Sequence, residues 1–247
     1  MPLPTPRSPA KPYATVDDVC LERGQRAVLR EITVSLQEHR IGLVGLNGAG
    51  KSTFLRLLNG LVRPDQGTVE VFGHDSVRDA KLLPRLVGMM FQNPDHQIIF
   101  PTVLEEIAFA PRQFGASKRE AESAARQLLR AHGCEDWAER PVSLLSEGQK
   151  QLVCLLAVVV VEPRLLLLDE PFANLDPALR LHFHKLMMQL PQKLVLISHD
   201  LDCLDGFDRI LWFDAGRIIG DGAPEEILPR FRAHAQERAA RLSADML

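Results

Sequence analysis

The sequence predicts an α/β fold built around a mostly parallel sheet. Three observations predict it. Short β-branched and leucine-rich runs recur at 40–44, 68–71, 86–91, 165–168, 194–197 and 210–213. Helical patterns lie between several of them, and a glycine-rich turn leads directly from the first run into the first helix.

Each element has its own signature. The run 165–168 is four leucines and 194–197 is Leu-Val-Leu-Ile, unbroken apolar stretches of the kind that strands covered on both faces require. Over 52–58, Phe54, Leu55, Leu57 and Leu58 share a side, giving a helix with one face to bury. The helical pattern of 118–132 stops at Gly133, a residue suited to helix ends. From about 93 to 160 the alternation breaks into polar, helix-prone sequence, which predicts an inserted helical subdomain. From 224 onward alanine, arginine and glutamate alternate, so a solvated surface helix is expected, with 231–247 as a C-terminal helical tail. The start, MPLPTPRSPAKP, has neither a charged leader nor an apolar stretch; residues 1–12 are expected to form a flexible proline-rich tail.

Composition narrows the function. Twenty-nine basic against 32 acidic residues leave a net charge of −3, which argues against a protein whose work is neutralising nucleic-acid phosphates. The longest apolar run, 152–161, is half of the ~20 residues that a membrane-spanning helix needs. Cys20, Cys134, Cys154 and Cys203 are far apart and form no C-x-x-C pair, so they are expected to be buried packing residues. His182 and His184 form an H-x-H with no acid or cysteine at ligand spacing and are assigned no metal.

Residues 45–53 read GLNGAGKST and satisfy G-x-x-x-x-G-K-[ST] between a strand and a helix. Gly45, Gly48 and Gly50, with Asn47 and Ala49, allow a loop whose amide hydrogens converge on phosphate oxygens at a positive helix end. Lys51 supplies a point charge, Ser52 a hydroxyl for Mg²⁺, and Thr53 opens the helix. The leucine run at 165–168 delivers Asp169 and Glu170 at its carboxyl end, where ligands of open α/β sheets collect. There Asp169 is placed to hold Mg²⁺ and Glu170 to polarise the water that attacks the γ-phosphoryl group. Gln92, just after the run 86–91, can touch both metal and water without titrating, and His199 follows another strand to face the γ-phosphate.

Leu145 to Gln149 read LSEGQ, ahead of a helix and the Asp169 carboxylate. This pattern resembles the ABC ATPase signature L-S-G-G-Q, and the family's other motifs fall in order: the loop at 45–53, Gln92, the signature, Asp169 and Glu170, the D-loop segment Asn174, Leu175 and Asp176, and His199. The resemblance spans about 15–230. It implies a P-loop NTPase of ABC type over 13–230, with a RecA-like core, an N-terminal antiparallel β subdomain and the inserted helical subdomain. It also implies ATP and Mg²⁺ as ligands. In that family Ser146, Glu147, Gly148 and Gln149 stand where the signature meets the γ-phosphate bound to a second subunit, so the working unit is a homodimer or a heterodimer with a related ATPase. Glu147 departs from the family pattern, and its side chain is expected to point away from phosphate. Arg23 stands where members usually carry an aromatic that stacks on adenine; a guanidinium plane can stack on a base as well.

The segment 92–110, QNPDHQIIFPTVLEEIAFA, looks like that of ATPases of energy-coupling factor (ECF) importers for vitamins and metals. The resemblance implies a transmembrane scaffold subunit docking here and a separate substrate-binding membrane protein. Ile98, Ile99 and Phe100 are then candidate apolar contacts, and Asp95, Glu105 and Glu106 candidate partners for arginines. The compact spacing resembles the biotin and the cobalt or nickel branches, with attachment to the cytoplasmic face of the membrane. DNA-repair and chromosome-maintenance ABC ATPases share the nucleotide motifs, but only 92 residues separate Thr53 from Leu145, too few for their coiled coils, and no nucleic-acid partner is expected.

Overall fold

The computed structural model describes residues 11–24, 26–172 and 175–245. Among these the strands form two sheets. Strands β1 (Ala14–Arg23), β2 (Arg26–Leu36), β4 (Gln66–Val71) and β5 (His74–Asp75) make an antiparallel sheet in the order β2-β1-β4-β5. The second sheet runs β10-β9-β3-β8-β7-β6, from β10 (Arg217–Gly222), β9 (Arg209–Asp214), β3 (Arg40–Val44), β8 (Lys193–Ile197), β7 (Leu165–Asp169) and β6 (Val87–Met90). All its pairings are parallel except β9 with β10.

The apolar strands predicted from sequence line up in this second sheet because both of its faces are covered. On one face Leu165, Leu167, Val195, Ile197, Leu211 and Phe213 pack with α1 (Lys51–Leu58) and the antiparallel sheet. On the other, Leu166, Leu168, Leu194, Leu196 and Trp212 join the core of the helices α2 (Val103–Gln113), α3 (Lys118–Ala131), α4 (Glu147–Val159) and α5 (Pro177–Gln189). The run at 68–71 is a strand as expected, but it belongs to the antiparallel sheet, paired with β1.

One predicted boundary is corrected. Helix α6 spans Pro224–Asp245 without a break at 230. Ile227, Leu228 and Phe231 are buried, with Phe231 edge-on to Trp212 at 5.7 Å between ring centroids. One face of the first half of this helix therefore packs into the core, so the helix is not a wholly solvated appendage. The cysteine reading is corrected in one place: Cys20 is only half-buried, and its sulfur accepts the Glu31 N–H at 3.3 Å. The expected tail lies almost wholly outside the described residues, as does Asn174.

Candidate active site

The phosphate loop leaves β3 and enters α1, and its backbone explains its glycines. Gly45 has φ 148°, and a Cβ there would lie 2.3 Å from the Phe213 carbonyl oxygen. Gly50 caps α1 in a left-handed conformation, φ 105°, with Leu29 and the Val28 carbonyl too close for a side chain. Lys51 is only 5% exposed, and its ammonium donates to the carbonyls of Gly45 (2.6 Å) and Leu46 (3.1 Å). Burial pushes its pKa below the ordinary lysine value against the opposing pull of Glu170 and Asp169.

Strand β7 delivers two carboxylates into different surroundings. Asp169 is buried and accepts the Ser52 hydroxyl at 3.0 Å. Burial raises its pKa and the neighbouring Glu170 adds to this, with Ser52, Arg56 and Lys51 opposing. A hydroxyl and a carboxylate converging at a helix head, under a loop of amides, form an all-oxygen donor set that suits a hard cation such as Mg²⁺, whose charge would offset that desolvation. Glu170 sits at φ 51°, a strained conformation for a non-glycine residue, with its N–H donated to the Ile197 carbonyl at 3.0 Å.

That strain aims the Glu170 carboxylate between two groups from neighbouring elements. Gln92, two residues past β6, donates its amide to Oε2 at 3.1 Å. His199, just past β8, places Nε2 2.8 Å from Oε1. Because β6, β7 and β8 are parallel neighbours in register, the three side chains arrive at the same end of the sheet. They line one cleft with Asn47, Gly48, Ala49, Gly50, Lys51, Ser52 and Thr53. The cleft thus combines phosphate-binding amides, a cation, a hard-metal donor pair and a carboxylate able to orient water. Val28, which sequence reasoning missed, also lines it.

Arg23 is not among the cleft's lining residues. It ends β1 opposite Arg26, past an irregularity in the pairing after Leu21, and is exposed. From that hairpin it is Arg26 that reaches the loop, its guanidinium 3.8 Å from where a Gly48 Cβ would stand. No Phe, Tyr or Trp lines the cleft among the described residues.

The signature segment lies elsewhere on the chain. Ser146 caps α4, accepting the Gln149 N–H at 3.3 Å while the Gln149 side chain accepts the Ser146 N–H at 3.0 Å. Glu147 is exposed in the first turn, where an acid suits the positive helix end. Gly148 is buried, and a Cβ there would lie 1.8 Å from a methyl of the half-buried Leu179, so a larger residue requires that side chain to move. Asp176 caps α5 through two N–H bonds at 3.0 Å, whereas Leu175 is buried in the core.

The segment after Gln92 corrects one expected surface contact, that of Glu106. Glu106 is buried and accepts the N–H groups of Ile99 and Phe100, both at 2.9 Å, so it is spent within the chain. Asp95 pairs with Lys150 of α4 at 2.7 Å, and Glu105 accepts the Thr102 hydroxyl at 2.7 Å. Ile98 packs against the helical core and Phe100 against Phe109, leaving Ile99, 65% exposed, as the free apolar tip.

Comparison with known proteins agrees with this geometry. The ABC transporter family profile matches residues 29–173. The chain is 46% identical over 224 residues to the biotin transport ATP-binding protein BioM of Rhodobacter capsulatus, covering 91% of this chain and 96% of that one. It is 35% identical over 245 residues to the energy-coupling factor transporter ATP-binding protein EcfA2 of Methanospirillum hungatei, covering 96% of this chain and 57% of the relative. The structure of cbiO1 from Clostridium perfringens, part of the ABC transporter complex cbiONQ, superposes with a TM-score of 0.78 at 26% identity, covering 96% of this chain and 99% of the other. The family match and the identity to ATP-binding transporter subunits together place the chain: the protein belongs to the ATP-binding, ATP-hydrolysing subunits of the ABC transporter family.

Proposed function

We propose that the chain is the ATPase of an ECF-type importer, attached to the cytoplasmic face of the membrane, and that its cargo is a vitamin, biotin in the first instance, or a transition metal ion. The observation that carries the hydrolytic role is the Glu170 carboxylate held by Gln92 and His199 beside Lys51. The biotin and ECF names of the relatives support the importer class. No helix among the described residues is long and apolar enough to cross a membrane, which suits a subunit that docks on membrane partners.

In this reading the loop amides of 45–53 and Lys51 take the β- and γ-phosphates, the lysine exchanging its two carbonyl partners for phosphate oxygens. Ser52, Asp169 and the carbonyl of the Gln92 amide would hold Mg²⁺, whose chemistry when bound would be to neutralise phosphate charge. Glu170 accepts the proton of a water whose oxygen bonds to the γ-phosphorus as the bridging oxygen departs with ADP. His199 stabilises the transferred group from the other side. Ser146, exposed at the positive end of α4, reaches the γ-phosphate of a second ATPase subunit. Nucleotide then joins two subunits, and hydrolysis parts them. Ile99 and the groove of Phe100, Phe109 and Arg112 between α2 and α3 receive a helix of the membrane scaffold.

Co-purification from detergent-solubilised membranes tests the assignment. A transmembrane scaffold and a biotin-binding membrane protein retained with the chain are expected, together with ATP-dependent biotin uptake in vesicles. Retention of a DNA-bound or wholly soluble partner instead would overturn it.

A further inference from the structure

Beyond the cleft, one ion pair joins two loops of the site. Arg180 lies one turn into α5, and its guanidinium donates through Nη1 to Asp200 at 2.6 Å and through Nη2 to the Leu175 carbonyl at 3.4 Å. Asp200 directly follows His199 and Leu175 directly precedes Asp176. The same Asp200 carboxylate accepts the Asp202 N–H at 3.2 Å, and its own N–H is held by the Ser198 hydroxyl at 3.1 Å. Arg180 Nε is buried and without a partner among the described residues, so the guanidinium is committed to these two acceptors at the cost of a third.

We infer that Arg180 is a positioning residue that fixes His199 to the D-loop segment, so that the subunit contact made there reaches the γ-phosphate site. The contacts form one chain: Leu175 carbonyl, Arg180, Asp200, the adjoining His199, Glu170 and Gln92. A guanidinium suits the task because its planar fork bonds two acceptors at fixed angles, which a lysine ammonium does not impose. Burial works against the Asp200 charge, yet Arg180 and the local hydrogen bonds hold its pKa below the ordinary aspartate value, in keeping with a permanent anion at this corner. Neither Arg180 nor Asp200 lines the nucleotide cleft, so their removal acts on the alignment of His199 and not on ATP binding. This role for Arg180 rests on the hydrolytic function proposed for Glu170.

The test is steady-state ATP hydrolysis by the full-length protein carrying R180A, D200N, both together, R180K or E170Q. R180A and D200N should each lower kcat about tenfold at unchanged KM for ATP, and the double variant should be no worse than either alone, as for two halves of one contact. R180K, which keeps the ion pair but not the fork, should recover part of the loss, and it serves if R180A melts early. Wild-type kcat in R180A, losses that multiply in the double variant, or a KM rising in step with the fall in kcat would overturn the positioning role. E170Q separates the two ideas: if it turns over normally, the hydrolytic reading fails, whereas a dead E170Q beside a fully active R180A defeats this inference alone.

Discussion

His199 Nε2 and Glu170 Oε1 lie 2.8 Å apart although 29 residues separate them in sequence. The contact exists because β7 and β8 pair in parallel with Asp169 opposite Ile197, so that the loops leaving the two strands emerge at one height. Glu170 is thereby restrained from both sides before nucleotide arrives. E170Q keeps the shape and loses the base. Turnover should fall about a hundredfold or more, within the range general-base removal produces, while ATP affinity stays unchanged. An ATP-dependent dimer should then outlive the wild-type one in light scattering; equal lifetimes would contradict the role given to Glu170.

Gly148 makes a prediction about stability. An alanine in the first turn of α4 would gain helix propensity, but its Cβ would strike a Leu179 methyl at 1.8 Å and press on Leu175 at 3.3 Å. Overpacking of this kind costs about 1–3 kcal/mol, more than the propensity gain of about 1 kcal/mol. G148A should therefore unfold at lower urea concentration, and L179A in the same chain should restore much of the loss. A G148A protein at least as stable as wild type would show that the Leu179 side chain yields without cost.

Much of this site was legible in sequence because its chemistry is local. The loop at 45–53 and the leucine strand ending in Asp169 and Glu170 each carry their motif and context within about ten residues. The sidedness of charged residues was not legible, because it depends on distant backbone. Glu105 and Glu106 are alike in sequence, yet one is exposed and the other buried under the N–H groups of Ile99 and Phe100. Likewise the alanine- and arginine-rich pattern of α6 hides three anchors, Ile227, Leu228 and Phe231, whose partner Trp212 comes from a strand that periodicity within the helix cannot foresee. The Arg180–Asp200 pair was invisible for the same reason: each residue alone reads as an ordinary solvated charge.

Asp169 carries a pH dependence. Burial raises its pKa in the fold, so the folded state holds this proton more readily than the unfolded chain. The resulting stabilisation is greatest in acid, below the unfolded aspartate value, and is lost as pH rises through the raised folded value. At neutral pH, without nucleotide or metal, the ionised carboxylate opposes folding. D169N retains an oxygen to accept the Ser52 hydroxyl and removes the charge. Its thermal midpoint should exceed that of wild type at pH 7, and the difference should shrink as the buffer is made acidic. Its Mg²⁺-dependent turnover should nonetheless fall about a hundredfold, as loss of one electrostatic group at a reacting centre does. An advantage for D169N that instead grows in acid would invert the sign of the shift.

The hairpin arginines predict how the base is read. Arg23 and Arg26 are directly opposed on β1 and β2, an arrangement of like charges that disfavours the hairpin unless an electron-rich or anionic group lies between them. Neither lines the cleft, but the Arg26 guanidinium comes within 3.8 Å of where a Gly48 Cβ would stand, and Val28, two residues on, is a lining residue. A guanidinium stacked on a base recognises its π-face, which every base has, and not the pattern of donors and acceptors along its edge. If that stack is the main base contact, ATP and GTP should bind within about fivefold of one another. R26A should weaken both about equally, by roughly fivefold to tenfold for a contact of ~1 kcal/mol, and R23A by less. Titration of the E170Q protein with fluorescent analogues of the two nucleotides measures all of these without interference from turnover. Unchanged affinity in R26A, or a wild-type preference for ATP beyond about fiftyfold, would remove the arginine pair from base recognition and leave Val28 as the only described contact on that side of the cleft.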